Sequence, residues 1–198
     1  MRPPGEPRAT GAIFATDAIV ALGANLGDRA TTLDAAIVAL AALPDTHVLA
    51  VSRWHESVAQ TPRGLDPDKP AYLNGVAHLD TLLDPHELLH ELRRIEIDHG
   101  RDRSSGAERW GDRTLDLDLI VHGTVRLSTP ELTLPHPRAH ERDFVLRPWL
   151  EVQPDAVLDG HGPIVGILAQ LESAGTPAEA TPPADARAAV TPSGESAP

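Results

Sequence analysis

The order in which hydrophobic periodicity changes along residues 18–121 predicts an α+β sandwich built as strand, helix, strand, strand, helix, strand. Three observations carry that reading. Two stretches repeat apolar residues at helical spacing, the second opens with a capping signature, and TLDLDLIV alternates acidic with apolar residues as a half-exposed strand does. Ala18 to Gly23 (AIVALG) is a short apolar run ended by glycine, a buried strand. Thr31 to Leu43 places Leu33, Ile37, Leu40 and Leu43 on one helical face, and Pro44 ends the helix. His47 to Val58 is rich in β-branched and aromatic residues and reads as one strand, followed by a long loop, QTPRGLDPDKP, and a further strand from Tyr72 to Leu79. Asp84, Pro85 and Glu87 supply an N-cap, a first-turn proline and a capping-box partner for a helix that carries Leu88, Leu89, Leu92, Ile95 and Glu96 and stops at Gly100. Thr114 to Val121 is the last strand. The order is the ferredoxin-like βαββαβ arrangement, and Leu127 to Leu171 reads as an extension of short helices and strands packed on it.

The chain has 198 residues and a formal charge of −12. An apolar content of 41% supports a buried core, built mainly from Leu, Val, Ile and Ala because aromatic residues make up only 3%. Residues 1–16 have prolines and a glutamate where a signal peptide needs an apolar run, so a flexible leader is expected there. Residues 17–172 form a single expected domain, and 173–198, rich in Ala and Pro, an expected disordered tail. Having no cysteine excludes disulfides, zinc–thiolate sites and thiol nucleophiles. The only lysine, Lys69, lies in DPDKPAYL with no glycine run before it, which excludes a P-loop. Any bound phosphate is therefore held by arginine. The acidity lies in the body, where residues 17–172 hold 14 basic and 25 acidic side chains. That balance disfavours nucleic acid and anionic membranes as partners. No apolar run approaches the ~20 residues of a membrane span. A cytoplasmic monomer is expected.

In TLDLDLIV the period of two projects Asp116 and Asp118 from one face and Leu115, Leu117 and Leu119 from the other. At ~3.3 Å per residue the two Cα atoms are about 6.6 Å apart, a spacing suited to holding one or two Mg²⁺ ions on phosphate. A strand with an acidic solvent face is the alternative. The preceding segment, GRDRSSGAERWGDR, sets Arg101, Arg103, Arg109 and Arg113 around Trp110, as a cationic lid over polyphosphate would. Alternatively these arginines pair with Asp102, Glu108 and Asp112 on a solvated loop. LPHPRAHERDFVLRP gathers His136, Arg138, His140, Arg142 and Phe144. Zinc binding by His136 and His140 needs a continuous helix, which Pro137 opposes, so phosphate contact is the better role for His136 and Arg142.

GANLGDR, YLN, RIE followed by GRDR, RWGDRTLDLDLI and LPHPRAHERDFVLRP, in that order between about Ala18 and Leu171, resemble the 6-hydroxymethyl-7,8-dihydropterin pyrophosphokinase family of folate biosynthesis. The resemblance implies Mg²⁺-dependent transfer of pyrophosphate from ATP to the hydroxymethyl group of a dihydropterin, releasing AMP. It implies a catalytic set of Arg103, Arg113, Asp116 and Asp118, with two Mg²⁺ ions on the two aspartates. By the same resemblance, ATP would meet Arg93, Glu96, Arg103, Arg109, Trp110, Arg113, Thr133, His136 and Arg142. The pterin would stack between Tyr72 and Phe144, with Asn74, Ser57, Val58, Trp110 and Asp116 around it. An aromatic sandwich suits a flat heterocycle with polar edges.

Two other enzyme and binding classes compete. A metal-dependent phosphohydrolase would use the same carboxylates but needs a water-activating base, and no residue suggests one. A ferredoxin-like ligand-binding or regulatory module is the non-catalytic alternative; an RNA-binding sheet would need more aromatics and a basic surround.

Overall fold

In the computed structural model, which describes residues 15–61, 64–100 and 113–173, the run AIVALG lies within β1 (Thr16–Ala24). Its side chains divide by parity, with Ala18, Val20, Leu22 and Ala24 in one core and Ile19 in a second core on the opposite face. Then come α1 (Arg29–Ala41), β2 (Thr46–Val51), β3 (His55–Ser57), a hairpin of β4 (Ala59–Thr61) and β5 (Gly64–Asp66), β6 (Tyr72–Thr81), α2 (Pro85–Asp98) and β7 (Asp116–His122). β1 pairs antiparallel with both β6 and β7, and β2 and β3 pair with β6, so the main sheet runs β2-β6-β1-β7. That is the ferredoxin-like order expected from the periodicity. Leu33, Ala36 and Leu40 of α1, with Leu88, Leu92 and Ile95 of α2, belong to the core on the face of Val20, Leu22, Ala77, Leu79, Leu117 and Leu119.

The C-terminal extension begins with β8 (Leu127–Ser128) and β9 (Thr133–Leu134), where Leu132 and Leu134 join the first core, and then covers the opposite sheet face with a 3-10 turn (Ala139–Glu141), α3 (Asp143–Val152), β10 (Val157–Leu158), β11 (Gly162–Pro163) and α4 (Ile164–Ser173). Val145, Leu146 and Trp149 of α3 and Ile164, Ile167 and Leu168 of α4 form the second core with Ile19, Val76 and Ile120. The described residues thus make three layers, helices on both sides of one sheet. None of their helices is long and apolar enough to cross a membrane.

Both main helices start where the backbone donors are satisfied. Asp84 accepts from the His86 and Glu87 N–H groups at 2.8 and 2.9 Å, and the Glu87 carboxylate accepts from the Asp84 N–H at 2.9 Å, completing the capping box. Asp28 caps α1 by accepting from the Thr31 N–H at 3.2 Å, so this helix begins two residues before the Thr31 read from apolar spacing.

The expected strand from His47 to Val58 is divided into β2 and β3. Ser52 turns its hydroxyl onto the Val76 N–H at 2.9 Å, and the Trp54 ring takes the space above Gly75, where a Cβ would meet it at 2.4 Å. The expected loop QTPRGLDPDKP contains the short β4–β5 hairpin. The last strand begins at Asp116, not Thr114, because the Arg113 main chain pairs with Asn25 of the β1–α1 turn. The segment 101–112, and all of the expected leader and tail except their inner ends, lie outside the described residues.

Candidate active site

Antiparallel pairing brings the start of β6 and the start of β7 to the same end of β1. Gly23 stands opposite Asn74 on one side and Asp116 on the other, and Ala21 stands opposite Val76 and Asp118. Asp116 and Asp118 therefore project from the same sheet face as Tyr72 and Asn74, on the far side from α1 and α2. Two interstrand spacings separate the aspartates from the Tyr72–Asn74 pair, about 10 Å, with the small residues Ala21 and Gly23 between them as a floor. The result is a cleft of about 600 Å³. Phe144 and Val145 of the α3 start, Ser57 at the end of β3 and Val58 close one side. Leu89, Arg93 and Glu96 of α2, Thr129 to Thr133, and His136 to Arg138 close the other.

Gly23 leaves room for this geometry, because a Cβ there would press on Asn74 Oδ1 at 3.1 Å and touch Tyr72 Cδ1 at 3.8 Å. Asn74 is 6% exposed, and its Nδ2 donates to Ser57 Oγ at 2.8 Å. At the sheet edge the Leu117 N–H donates to Glu96 Oε1 at 2.9 Å, which gives a carboxylate only 1% exposed a strand donor. His136 is placed by a bulge in β7. The register steps from Val20–Leu119 to Ile19–Val121, leaving Ile120 as the extra residue, and its carbonyl accepts from the His136 N–H at 2.8 Å.

The two aspartates of the cleft face cationic partners. Arg113 Nη1 donates to Asp116 Oδ2 at 2.6 Å and Arg142 Nη1 to Asp118 Oδ2 at 2.9 Å, while His136 Nε2 lies 4.0 Å from Asp118 Oδ2. Burial works against the charge on Arg113, but Asp116, Tyr72 and Asp118 outweigh it and hold the guanidinium above its ordinary pKa. Burial pushes His136 below its ordinary 6.5; Asp118 and Asp116 oppose this, and Arg142 and Arg138 reinforce it, so the neutral imidazole is favoured. The Nε of Arg142 is buried with no hydrogen-bond partner among the described residues, a donor suited to an anionic ligand.

A family model, 7,8-dihydro-6-hydroxymethylpterin-pyrophosphokinase, matches residues 19–154. The chain belongs to that family. A 2-amino-4-hydroxy-6-hydroxymethyldihydropteridine pyrophosphokinase of Haemophilus influenzae is 39% identical over 154 residues, 78% of this chain and 92% of the relative. One from Pseudomonas aeruginosa is 43% identical over 143 residues, 72% of this chain and 84% of the relative. In fold, a Plasmodium falciparum HPPK-DHPS crystal structure with pteroate superposes with a TM-score of 0.60 at 12% identity, covering 83% of this chain and 44% of that longer one. Family membership makes this chain a pyrophosphate-transferring enzyme of folate biosynthesis.

Of the pyrophosphokinase residues singled out in the sequence, Ser57, Val58, Tyr72, Asn74, Arg93, Glu96, Arg113, Asp116, Asp118, Thr133, His136, Arg142 and Phe144 all line this one cleft. Arg103, Arg109 and Trp110 lie outside the described residues. The two histidines of the rejected zinc reading diverge: His136 faces Asp118, whereas His140 stacks on His161 with ring centroids 4.0 Å apart. Among the described residues no group of three or more His, Asp or Glu is placed to hold a metal. Sequence reading missed the floor, Ala21 and Gly23, although both occupy alternate positions of the first strand. It also assigned no role to Arg138, which lines the wall while its Nε donates to Glu141 at 3.0 Å.

Proposed function

We propose that the cleft transfers pyrophosphate from ATP to the hydroxymethyl oxygen of 6-hydroxymethyl-7,8-dihydropterin, leaving AMP. The observation that carries this reading is the placement of two carboxylates, Asp116 and Asp118, between an arginine- and histidine-lined lobe and a lobe holding Tyr72, Asn74 and Phe144. The first lobe suits a triphosphate, because guanidinium forks pair with phosphate oxygens and Arg142 Nε has a donor to spare. The second suits a flat heterocycle with hydrogen-bonding edges.

Magnesium fits the donor set. Two carboxylates alone are an incomplete shell, as this ion prefers: it keeps several waters and takes its other oxygens from substrate phosphates. Asp116 and Asp118 would hold it, and their present partners, Arg113 and Arg142, would turn to phosphate. When bound, the metal supplies Lewis acidity to the phosphoryl oxygens and eases deprotonation of the accepting hydroxyl. The chain's own residues do the rest. Tyr72, Phe144, Asn74, Ser57 and Val58 orient the pterin so that its hydroxymethyl oxygen lies in line with the β-phosphorus. Arg113 and Arg142 stabilise negative charge on the transferring group, and neutral His136 contacts the nucleotide as a hydrogen-bonding group. Arg93, Glu96 and Thr133 border the nucleotide lobe. Arg103, Arg109 and Trp110, which lie outside the described residues, are given to ATP by the family resemblance alone. The new bond joins the hydroxymethyl oxygen to the β-phosphorus; the bond to the α-phosphate oxygen breaks and leaves its electron pair on AMP, and the hydroxyl proton goes to solvent. A cytoplasmic location is compatible with the cysteine-free composition.

The test is product analysis with ATP and magnesium, with and without the hydroxymethyldihydropterin. AMP formed only when the acceptor is present is the expected result. ADP, or inorganic phosphate released without acceptor, would assign the carboxylates to a phosphohydrolase instead.

A further inference from the structure

Asn25 lies in the turn between β1 and α1, is 3% exposed, and contributes nothing to the cleft wall. A buried amide with no ligand surface is explained by its hydrogen bonds. Its Oδ1 accepts from the Arg113 N–H at 2.7 Å, and its own N–H donates to the Arg113 carbonyl at 3.1 Å. These two bonds grip the main chain of Arg113 from both sides, three residues before Asp116. The Asn25 Nδ2 reaches the Pro70 carbonyl at 3.5 Å. The next carbonyl, that of Ala71, accepts from Arg29 at 2.7 Å, and Arg29 also donates to Glu56 at 2.8 Å. The β1–α1 turn thus holds the backbone on both sides of the cleft, beside Arg113 and just before Tyr72.

We propose that Asn25 is a positioning residue for pyrophosphate transfer, fixing the Arg113 main chain so that its guanidinium is delivered beside Asp116. The inference rests on the role given above to Arg113. A long side chain is aimed only as well as its anchor, and a displacement of about 1 Å in a charge-stabilising group costs on the order of 10²-fold in rate. Asparagine suits the task because one branch supplies the acceptor for Arg113 and the other a donor towards Pro70. Aspartate keeps the acceptor, and alanine removes both. The backbone bond from Asn25 to the Arg113 carbonyl survives every substitution, so the fold is expected to survive as well.

The test is a cycle of Asn25→Ala, Arg113→Ala and the double variant, with Asn25→Asp beside it, measuring kcat, both KM values and the melting temperature. Asn25→Ala is expected to lower kcat about 10- to 100-fold while the KM for ATP moves less than about threefold. Asn25→Asp should keep most of the rate, and adding Asn25→Ala to Arg113→Ala should cost less than about twofold more. A wild-type kcat in Asn25→Ala with a lowered melting temperature overturns the proposal in favour of a purely structural amide. So does a loss of undiminished size in the Arg113→Ala background. If Asn25→Ala does not fold, Asn25→Ser, whose hydroxyl stops short of the Arg113 N–H, takes its place under the same criteria. A fully active Arg113→Ala overturns the reading of Arg113 together with this inference, whereas an impaired Arg113→Ala beside an unimpaired Asn25→Ala overturns this inference alone.

Discussion

Replacing Gly23 by alanine separates the two lobes of the cleft experimentally. The added Cβ would stand 3.1 Å from Asn74 Oδ1, a few tenths of an ångström inside ordinary contact, and 3.8 Å from Tyr72, which is no clash. Asn74 is the neighbour that must give way. It is buried, and turning its amide gives up the 2.8 Å bond to Ser57 Oγ, worth about 1 kcal/mol net. If Asn74 also hydrogen-bonds the pterin edge, as proposed, a second contribution of similar size is lost. The Ser57 bond is lost with and without ligand and so lowers stability, whereas the lost pterin contact, about 1 kcal/mol, corresponds to roughly fivefold weaker pterin binding. Binding of a non-hydrolysable ATP analogue should change less than about twofold, since the triphosphate lobe is walled by other residues. Calorimetric titration with each ligand measures both. Unchanged pterin affinity would refute the seat assigned to Asn74, and an equal loss for the nucleotide would show that the substitution deforms the whole cleft.

Two further outcomes follow from the same geometry. Asp118→Ala should cut turnover by about 10³-fold or more, because it removes a proposed metal ligand, while circular dichroism stays native; full turnover would reduce the carboxylate to surface charge. Glu151 accepts from the Arg53 guanidinium at 3.0 Å and from the Arg53 main-chain N–H at 2.9 Å and faces His55 Nε2 at 2.8 Å; burial opposes its charge, but these partners, the guanidinium foremost, hold the carboxyl below its ordinary 4.5. A depressed folded pKa contributes stability above about pH 4.5 that is lost as pH falls through the folded value, so Glu151→Gln should cost about 1 kcal/mol at pH 7 and less at pH 4 in urea melts. A difference independent of pH would contradict that linkage.

What could be read from the sequence was what local rules encode. The strict alternation of Asp116, Leu117, Asp118 and Leu119 placed both carboxylates on one face, and Asp84, Pro85 and Glu87 marked a helix start that the structure reproduces. The family motifs collected residues that line one cleft, because short motifs travel intact through a fold. The missed features depend on distant partners. Nothing local in VSRWHES shows a strand break, because the break answers to Gly75 on another strand. Asn25 stood inside a motif but carried no readable role, its partner Arg113 being 88 residues away. The cleft floor likewise becomes visible only when β6 and β7 flank Ala21 and Gly23.

The extra residue at Ile120 changes how β7 tolerates variation. Ahead of it, even-numbered positions face the substrates; beyond it, parity is reset, and Val121 joins Ile120 against the second core. The strand therefore behaves as two independently phased halves joined at a single carbonyl that also anchors His136. A substitution in either half stays local, whereas deleting one residue at the joint forces a choice between acids that face the substrates and a distal half whose apolar side chains meet the second core. For anyone engineering this chain or aligning its relatives, the length of β7 is a stricter constraint than its composition.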